Sequence, residues 1–450
     1  MNNIIKPLLL TIFLSFLLLA CNNDDNLNDD LTDFDNIALN AGVEIYNPDD
    51  FERGYTLVAP LTSKNAYLIN MEGFPVKAWT SEYLAISNYL NEQGEYIRSY
   101  AVQNNIFSSP GTTGGIEIYN FEGELIWNWT YSTPQYSLHH DLEFLPNGNI
   151  LASVWDYKTK DEAIENGRNP NLLFNNSVWP DRIIEIKRLP NNQAEIVWEW
   201  SFWDHLVQDH DPTKLNFGAI SEHPELLDIN YTNGQANLNH VNSLYYIEEY
   251  DQIVFSSRNF NELFIIDHST STLEAQSHSG GNYNKGGDLL FRWGNPQAYK
   301  TGSSEDQELF GQHDITFLDS KNSLTGNFLQ FNNSKYGTLS SVDEINVPIQ
   351  SDGSYIIEPN TQTQATIGWF YTNSEVFSSI LSGAQRLQNK NTLITSGVDG
   401  LLLEVNSNSN ISWKYRIPTE DPRTFKSRRY SIDSPPFNGI ELEVLNIPIE

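Results

Sequence analysis

The sequence predicts an all-β chain folded as a six-bladed β-propeller with long loop insertions between strands. Three observations predict it: short strands of alternating polarity bounded by turn residues, a strand unit ending in an aromatic that recurs about six times, and almost no helical periodicity. The chain's 27 Gly, 20 Pro, 11 Trp and 22 Tyr suit such a turn-rich, aromatic-rich body. A two-sheet sandwich is the competing architecture. Six units sharing one aromatic signature favour the propeller, in which radial repetition protects the strand edges.

The recurring unit has two halves. The first is a strand pair around a turn that ends in an aromatic, as in "YLINMEGFPVKAW" (67–79), "IEIYNFEGELIWNW" (116–129) and "IIEIKRLPNNQAEIVWEW" (183–200). Later copies are "LFIIDHSTSTLEAQ" (263–276) with "GDLLFRWGNP" (287–296), "QTQATIGWFY" (362–371) and "LLLEVNSNSNISWKY" (401–415). The second half is a strand, a tight turn and a strand: "LEFLPNGNILASVW" (142–155) and "AQRLQNKNTLITSG" (384–397). Pro146-Asn147-Gly148-Asn149 is a strong turn signal, because Asn and Gly tolerate the positive φ that short hairpin loops demand. A four-stranded blade needs roughly 40–45 residues. The aromatic landmarks Trp79, Trp127, Trp198 and Trp293 are spaced more widely than that, so insertions are expected, with 157–181, 203–238 and 335–360 as the candidates. The final stretch "PPFNGIELEVLNIPIE" is expected to help close the ring.

The amino end reads as targeting rather than fold. Lys6, the apolar run "PLLLTIFLSFLLLA" and Cys21 make a secretory signal over residues 1–20, followed by a cysteine placed for acylation. Cys21 is the only cysteine, so no intrachain disulfide can use it. Residues 21–53 form an acidic, Asn/Asp-rich tether with a possible closing strand, and residues 54–450 are the propeller. The expected location is extracytoplasmic, lipid-anchored to a bacterial membrane through Cys21, on the periplasmic or the cell-surface side. A net charge of −32 argues against nucleic acid and anionic lipid as partners, since both demand a basic surface. Oligomeric state is not readable from the sequence.

One constellation carries chemistry. "LHHDLEFLP" (138–146) and "GQHDITFLD" (311–319) both open a strand with His-Asp, and "NHVNSLYYI" (239–247) repeats the histidine. Equivalent positions of successive blades converge on the propeller axis, so His140, His240 and His313 are expected to share one axial pocket, with Ser382 at the matching place in the last unit. Arg258 closes the partner strand of the hairpin that His240 opens, so it reaches the same mouth. Asn242 is expected on the face of His240 by the period-two alternation of a strand. Three histidines alone would suggest zinc. An added arginine favours a tetrahedral anion instead, because a guanidinium matches an oxyanion and repels a divalent metal. Asp141 and Asp314 are candidates to fix a histidine tautomer, although alternation turns Asp141 away from His140. The other histidines (His139, His205, His210, His223, His268 and His278) read as solvated surface groups, His139 least clearly. No metal and no cofactor is expected.

The set "GYTLVAP", "HHDLEFLPNGNIL", "HVNSLYYIEEYDQIVFSSRNFNEL", "LLFRWGNPQAY", "GQHDITFLD" and "GAQRLQNKNTLI" resembles the aryl-sulfate sulfotransferases that work without a nucleotide sulfate donor. The likeness runs from about residue 54 to 415. It implies a six-bladed propeller that moves a sulfuryl group from a phenolic sulfate ester to a phenol acceptor through a sulfohistidine. His313 would be the nucleophile; His140, His240 and Arg258 would surround the sulfuryl oxygens and handle protons. Asn242 would be an added donor. A sulfatase-like or metal-dependent hydrolase or lyase, and a non-catalytic surface binding propeller, remain alternatives.

Overall fold

A computed structural model describes residues 42–450. Six antiparallel sheets are arranged as blades, and blades two to six each have their first strand innermost. Blade two runs Ala85–Leu90, Tyr96–Ala101, Gly114–Tyr119 and Leu125–Thr130, and blade three Tyr136–Phe144, Ile150–Asp156, Asp181–Leu189 and Gln193–Ser201. Blades four and five begin at Val241–Ile247 and His313–Phe317, and blade six at Gly383–Arg386. Blade one is composite. Its three outer strands (Gly54–Val58, Asn65–Ile69, Pro75–Thr80) come early in the chain, and its inner strand is Arg428–Ser431 from the carboxyl end. Val43–Tyr46 adds a fifth strand to blade six, pairing with Ile411–Arg416. The signal segment 1–20, Cys21 and most of the tether lie outside the described residues.

The recurring aromatic has a structural cause. Trp79, Trp127, Trp198 and Trp413 stand on the fourth strands of their blades and are buried against the neighbouring blade. Each indole N–H donates to the next blade: Trp79 to Asn120 O (3.1 Å), Trp127 to Gln193 O (3.1 Å), Trp198 to Thr270 Oγ1 (3.2 Å) and Trp413 to Met71 O (2.7 Å). A large apolar body with one polar tip fits a site that must fill a core and still satisfy a partner. A hydrophobic cluster sits between each pair of adjacent blades, and truncating such a tryptophan to alanine costs about 3–5 kcal/mol.

Ring closure is secured by charge as well as backbone pairing. Arg429 of the closing strand is fully buried, pairs with Glu404 of blade six, donates to Thr56 Oγ1 (3.0 Å) and lies 4.5 Å over Trp413. The tail "PPFNGIELEVLNIPIE" does not form the closing strand, which precedes it. It straps the outside of blade one instead, with Leu445 N donating to Pro75 O (2.7 Å).

Two of the expected insertions are irregular as read. Residues 157–180 carry a short helix, Lys160–Glu165, and 202–240 bridge blades three and four. The third, 335–360, contains Ser341–Asn346, the third strand of blade five. Its "SVDEIN" reads polar because Asp343 and Glu344 are buried and partnered: Asn332 donates to Asp343 and Arg386 pairs with Glu344 at 2.7 Å. A further insertion, between Glu262–Asp267 and Phe291–Trp293, holds a helix, Thr272–Ala275.

Candidate active site

The inner strands of blades three, four and five are each interrupted by a β-bulge where their histidine sits. Register shifts fall opposite His140-Asp141, at Val241/Ser243, and between His313 and Thr316. An extra residue bends a strand and re-aims its side chains. The backbone follows: His140 (φ +46°), His240 (φ +58°), Asp314 (φ +60°) and Ser382 (φ +83°) all occupy the left-handed region, an uncommon conformation for residues with a Cβ.

The bulges bring the imidazoles to the axis. His140 and His240 have ring centroids 4.5 Å apart, and both feel the charges of His313 and Arg258. All three histidines are buried. Burial is the first cause that pushes their pKa values down, to about 4 for His313 and well below 6.5 for His140 and His240. They are neutral at physiological pH. Arg258 is half-buried, and its backbone N–H donates to His240 O (3.1 Å). Its guanidinium has no ion-pair or hydrogen-bond partner among the described residues, and burial lowers its pKa.

Tautomers follow from partners. His313 Nδ1 faces two oxygens, Gly311 O (3.0 Å) and Asn333 Oδ1 (2.8 Å). The Asn333 amide nitrogen donates to Ser378 O and Leu381 O, which fixes its oxygen toward the histidine. Nδ1 must therefore carry the hydrogen, and Nε2 presents its lone pair. Asn237 donates to His240 Nδ1 (2.7 Å), so in the neutral ring Nε2 of His240 carries the hydrogen. Behind His140, Nδ1 of His139 lies 2.9 Å from Nδ1 of His140. His139 stacks on Trp155 (4.2 Å) and is 2.8 Å from Asp181, poorly aligned for a hydrogen bond. Gly111 (φ +85°) packs against the His140 imidazole: a Cβ there would stand 2.0 Å from Nε2.

Several residues sit elsewhere than the sequence reading placed them. Asn242 does not follow His240, because the bulge breaks the alternation; it is fully buried and donates to Gln312 O (2.7 Å), tying blade four to blade five. The hydroxyl of Ser382, also fully buried, accepts from Gly397 N (2.9 Å) and holds a turn. Asp141 and Asp314 touch no imidazole. Lys426 bridges them at 2.9 Å to each, and Arg428 pairs with Asp314 at 2.5 Å. Opposing desolvation, Arg428 and Lys426 hold the Asp314 carboxyl far below its ordinary range. This charged layer separates the histidines from a cavity of about 1020 Å³ lined by Tyr89, Glu143, Tyr245 and Arg428. The cavity therefore lies beyond that layer, toward the other end of the axis from the imidazoles.

Three histidines read as surface groups are buried or nearly so. His139 and His205 are inaccessible, and His268 lies between Asp251 (2.8 Å) and Glu185 (3.0 Å). These partners lie far from the histidines in sequence, and no local pattern reveals them. Residues that the sequence reading missed are Lys426, Arg428, Asn333, Asn237 and Asp181. A signal existed for two of them: "TFKSRR" concentrates positive charge in a chain of net −32. A signal existed for Asn333 as well, since it follows the strand paired with that of His313, much as Arg258 follows the strand paired with that of His240.

Fold and site thus define a β-propeller with an axial cluster of neutral imidazoles beside an uncompensated guanidinium. The sequence matches the arylsulfotransferase (ASST) family over residues 89–428, and the chain belongs to that family, whose activity in general is aryl sulfotransfer. No curated protein matches the chain significantly. Among solved structures it is similar to a Bacteroides caccae protein of unknown function (12% identity, TM-score 0.46, covering 84% of this chain and 98% of that one). It is also similar to virginiamycin B lyase from Staphylococcus aureus (11%, 0.37, 84% and 89%). The β-propeller domain of Myceliophteria thermophila Cps50 (Swd1) matches at 8%, 0.41, 87% and 97%.

Proposed function

We propose that the protein transfers a sulfuryl group from a phenolic sulfate ester to a phenol, with His313 as the nucleophile. The observation that carries this reading is the locked tautomer of His313. Its Nδ1–H is held by two oxygens, so a neutral Nε2 is left with its lone pair, close enough to Arg258 to feel that charge. Nε2 attacks sulfur, the S–O bond to the aryl oxygen breaks, and the phenolate leaves. The N-sulfo imidazolium keeps its Nδ1–H, and Asn333 Oδ1 and Gly311 O stabilise the positive charge that the ring acquires. The acceptor phenol then attacks sulfur, the N–S bond breaks, and His313 is restored. Two half-reactions predict ping-pong kinetics.

Arg258, with no carboxylate partner among the described residues, holds sulfuryl oxygens whose charge grows in the transition state. His240, with its hydrogen on Nε2, is a second donor. Proton transfer to the leaving phenolate and from the incoming phenol falls to His140. Burial makes an imidazolium unfavourable at His140, yet His139 and Asp181 stand behind it, and burial pushes the Asp181 carboxyl well above its ordinary value. A proton given up by His140 Nε2 is replaced at Nδ1 from His139, and His139 is resupplied by Asp181. Asn242 and Ser382 hold strands around this pocket.

The test is a brief pulse of a chromogenic aryl sulfate followed by intact-mass analysis and peptide mapping. A sulfuryl adduct on His313, discharged by added phenol, is expected. Turnover that survives His313→Ala would remove the proposed nucleophile. The same reading keeps Cys21 as a lipid anchor holding the propeller outside the cytoplasm; Cys21→Ser should move the protein from the membrane to the soluble fraction.

A further inference from the structure

Away from the axis, His205, His278 and Asp288 converge where the insertion that follows blade three meets the loop inside blade four. We infer that these three side chains bind a divalent transition cation of the zinc type, through one nitrogen of each histidine and one carboxylate oxygen. The candidate donor atoms all lie within 4.8 Å of one another. Asp288 Oδ1 is 2.9 Å from His205 Nδ1 and 2.7 Å from His278 Nδ1.

The argument turns on His205, which is inaccessible to solvent. Its Nε2 stands 2.8 Å from the carbonyl oxygen of Ala275. A carbonyl only accepts, so Nε2 carries the hydrogen, and in a neutral ring Nδ1 is left as a bare lone pair. That lone pair points at a carboxylate oxygen, which also only accepts when ionised. Two acceptors face each other at 2.9 Å, and a cation between them removes the conflict. A ligating imidazole that donates its other N–H to a backbone carbonyl is the usual arrangement around a bound metal.

The surroundings hold His205 in this pose. Trp200 lies parallel to it (5.7 Å, 4°) and donates its indole N–H to Gly287 O (2.7 Å). Gly287 has no side chain because a Cβ there would meet Ala275 O at 2.0 Å and His205 Nε2 at 2.5 Å. A tetrahedral zinc with bonds of about 2.0–2.1 Å needs donor atoms about 3.3 Å apart, so the two N···O contacts open by a few tenths of an ångström. The side chain of His278 is 63% exposed and free to move by that amount. Its exposure also leaves the fourth position to water. Two imidazoles and one carboxylate are a donor set that zinc accepts. The bound ion would pin the 202–229 insertion to the 268–290 loop, near no axial histidine.

The experiment uses untagged full-length protein stripped with chelator, incubated with micromolar zinc chloride, passed over a desalting column and assayed for metal by mass spectrometry. About one zinc per chain is expected in the wild type, with a rise in melting temperature on adding zinc. His278→Ala and Asp288→Asn should each abolish both, while His313→Ala should keep both. The proposal is overturned if the wild type retains no zinc. It is equally overturned if His278→Ala and Asp288→Asn bind as much zinc as the wild type. Loss of zinc in His313→Ala alone would place the metal on the axis, ending this proposal and counting against the sulfuryl-transfer reading as well. If the axial variants lose activity and keep zinc, the two readings stand apart.

Discussion

His313 on the axis and His268 at the rim between blades three and four are the same residue in opposite electrostatic settings. His268 is clamped between Asp251 and Glu185, and although burial alone would lower its pKa, those carboxylates push it up to about 9. His313 faces an amide and a carbonyl, has Arg258 and Lys426 nearby, and is pushed down to about 4. At neutral pH one is a cation tying blades together, and the other is an uncharged ring with a bare Nε2 lone pair. Both are buried or nearly so, so burial does not separate them. What separates them is whether an ionised oxygen or an uncharged one stands within 3 Å.

The largest effect that would break this contrast is removal of the axial machinery. Arg258→Ala should lower kcat/KM by about 10²–10³, the range seen when a fixed oxyanion donor is lost, and steady-state assay of aryl sulfate turnover checks it. Gly111→Ala should cost about 10²-fold without touching substrate, because the new methyl drives the His140 ring from its place. Near-wild-type activity in Gly111→Ala would mean that the position of His140 is unimportant. Asn333→Asp sharpens the comparison by giving His313 the kind of partner His268 has. Its ionised carboxylate favours the imidazolium, so the acid limb of the kcat/KM profile should move upward from about pH 4. Asn333→Ala should lower kcat about tenfold with KM little changed, as expected for a positioning residue acting on the transition state.

Smaller effects appear in stability. His139 and His313 have folded pKa values of about 3 and about 4, below the 6.5 of the unfolded chain, so the unfolded state binds their protons first. Their contribution is present above pH 6.5 and is lost as pH falls from 6.5 toward 4, at up to about 1.4 kcal/mol per pH unit per group. Melting temperatures across that window should fall, and less steeply in His313→Gln. His268 runs the other way. Its raised pKa stabilises fully below pH 6.5 and is lost as pH rises through about 9, so the stability gap between wild type and His268→Gln should close over that interval.

Much of the architecture was legible because a blade writes itself locally. The turn at 146–149, the tryptophan that ends each outer strand and the His-Asp pairs are short-range patterns, and rotational repetition turns them into geometry. Bulges were not legible. A single extra residue at Asn242 breaks the period of two, and no residue type announces it. Partners across blades were equally hidden, since Asp141 and Asp314 meet through Lys426, which arrives from the far end of the chain. The strand Ser341–Asn346 was hidden for the opposite reason, because its buried carboxylates make it look like a loop.

The inner strand of blade one consists of residues 428–431, so the ring cannot shut until nearly the whole polypeptide exists. Lys426, which joins the aspartates beneath the imidazoles, is delivered by the same segment. A chain truncated before Thr424 therefore has five complete blades and an unassembled floor under its axial histidines. Ring closure and the charged floor beneath the imidazoles are thus completed in one step, by one short segment.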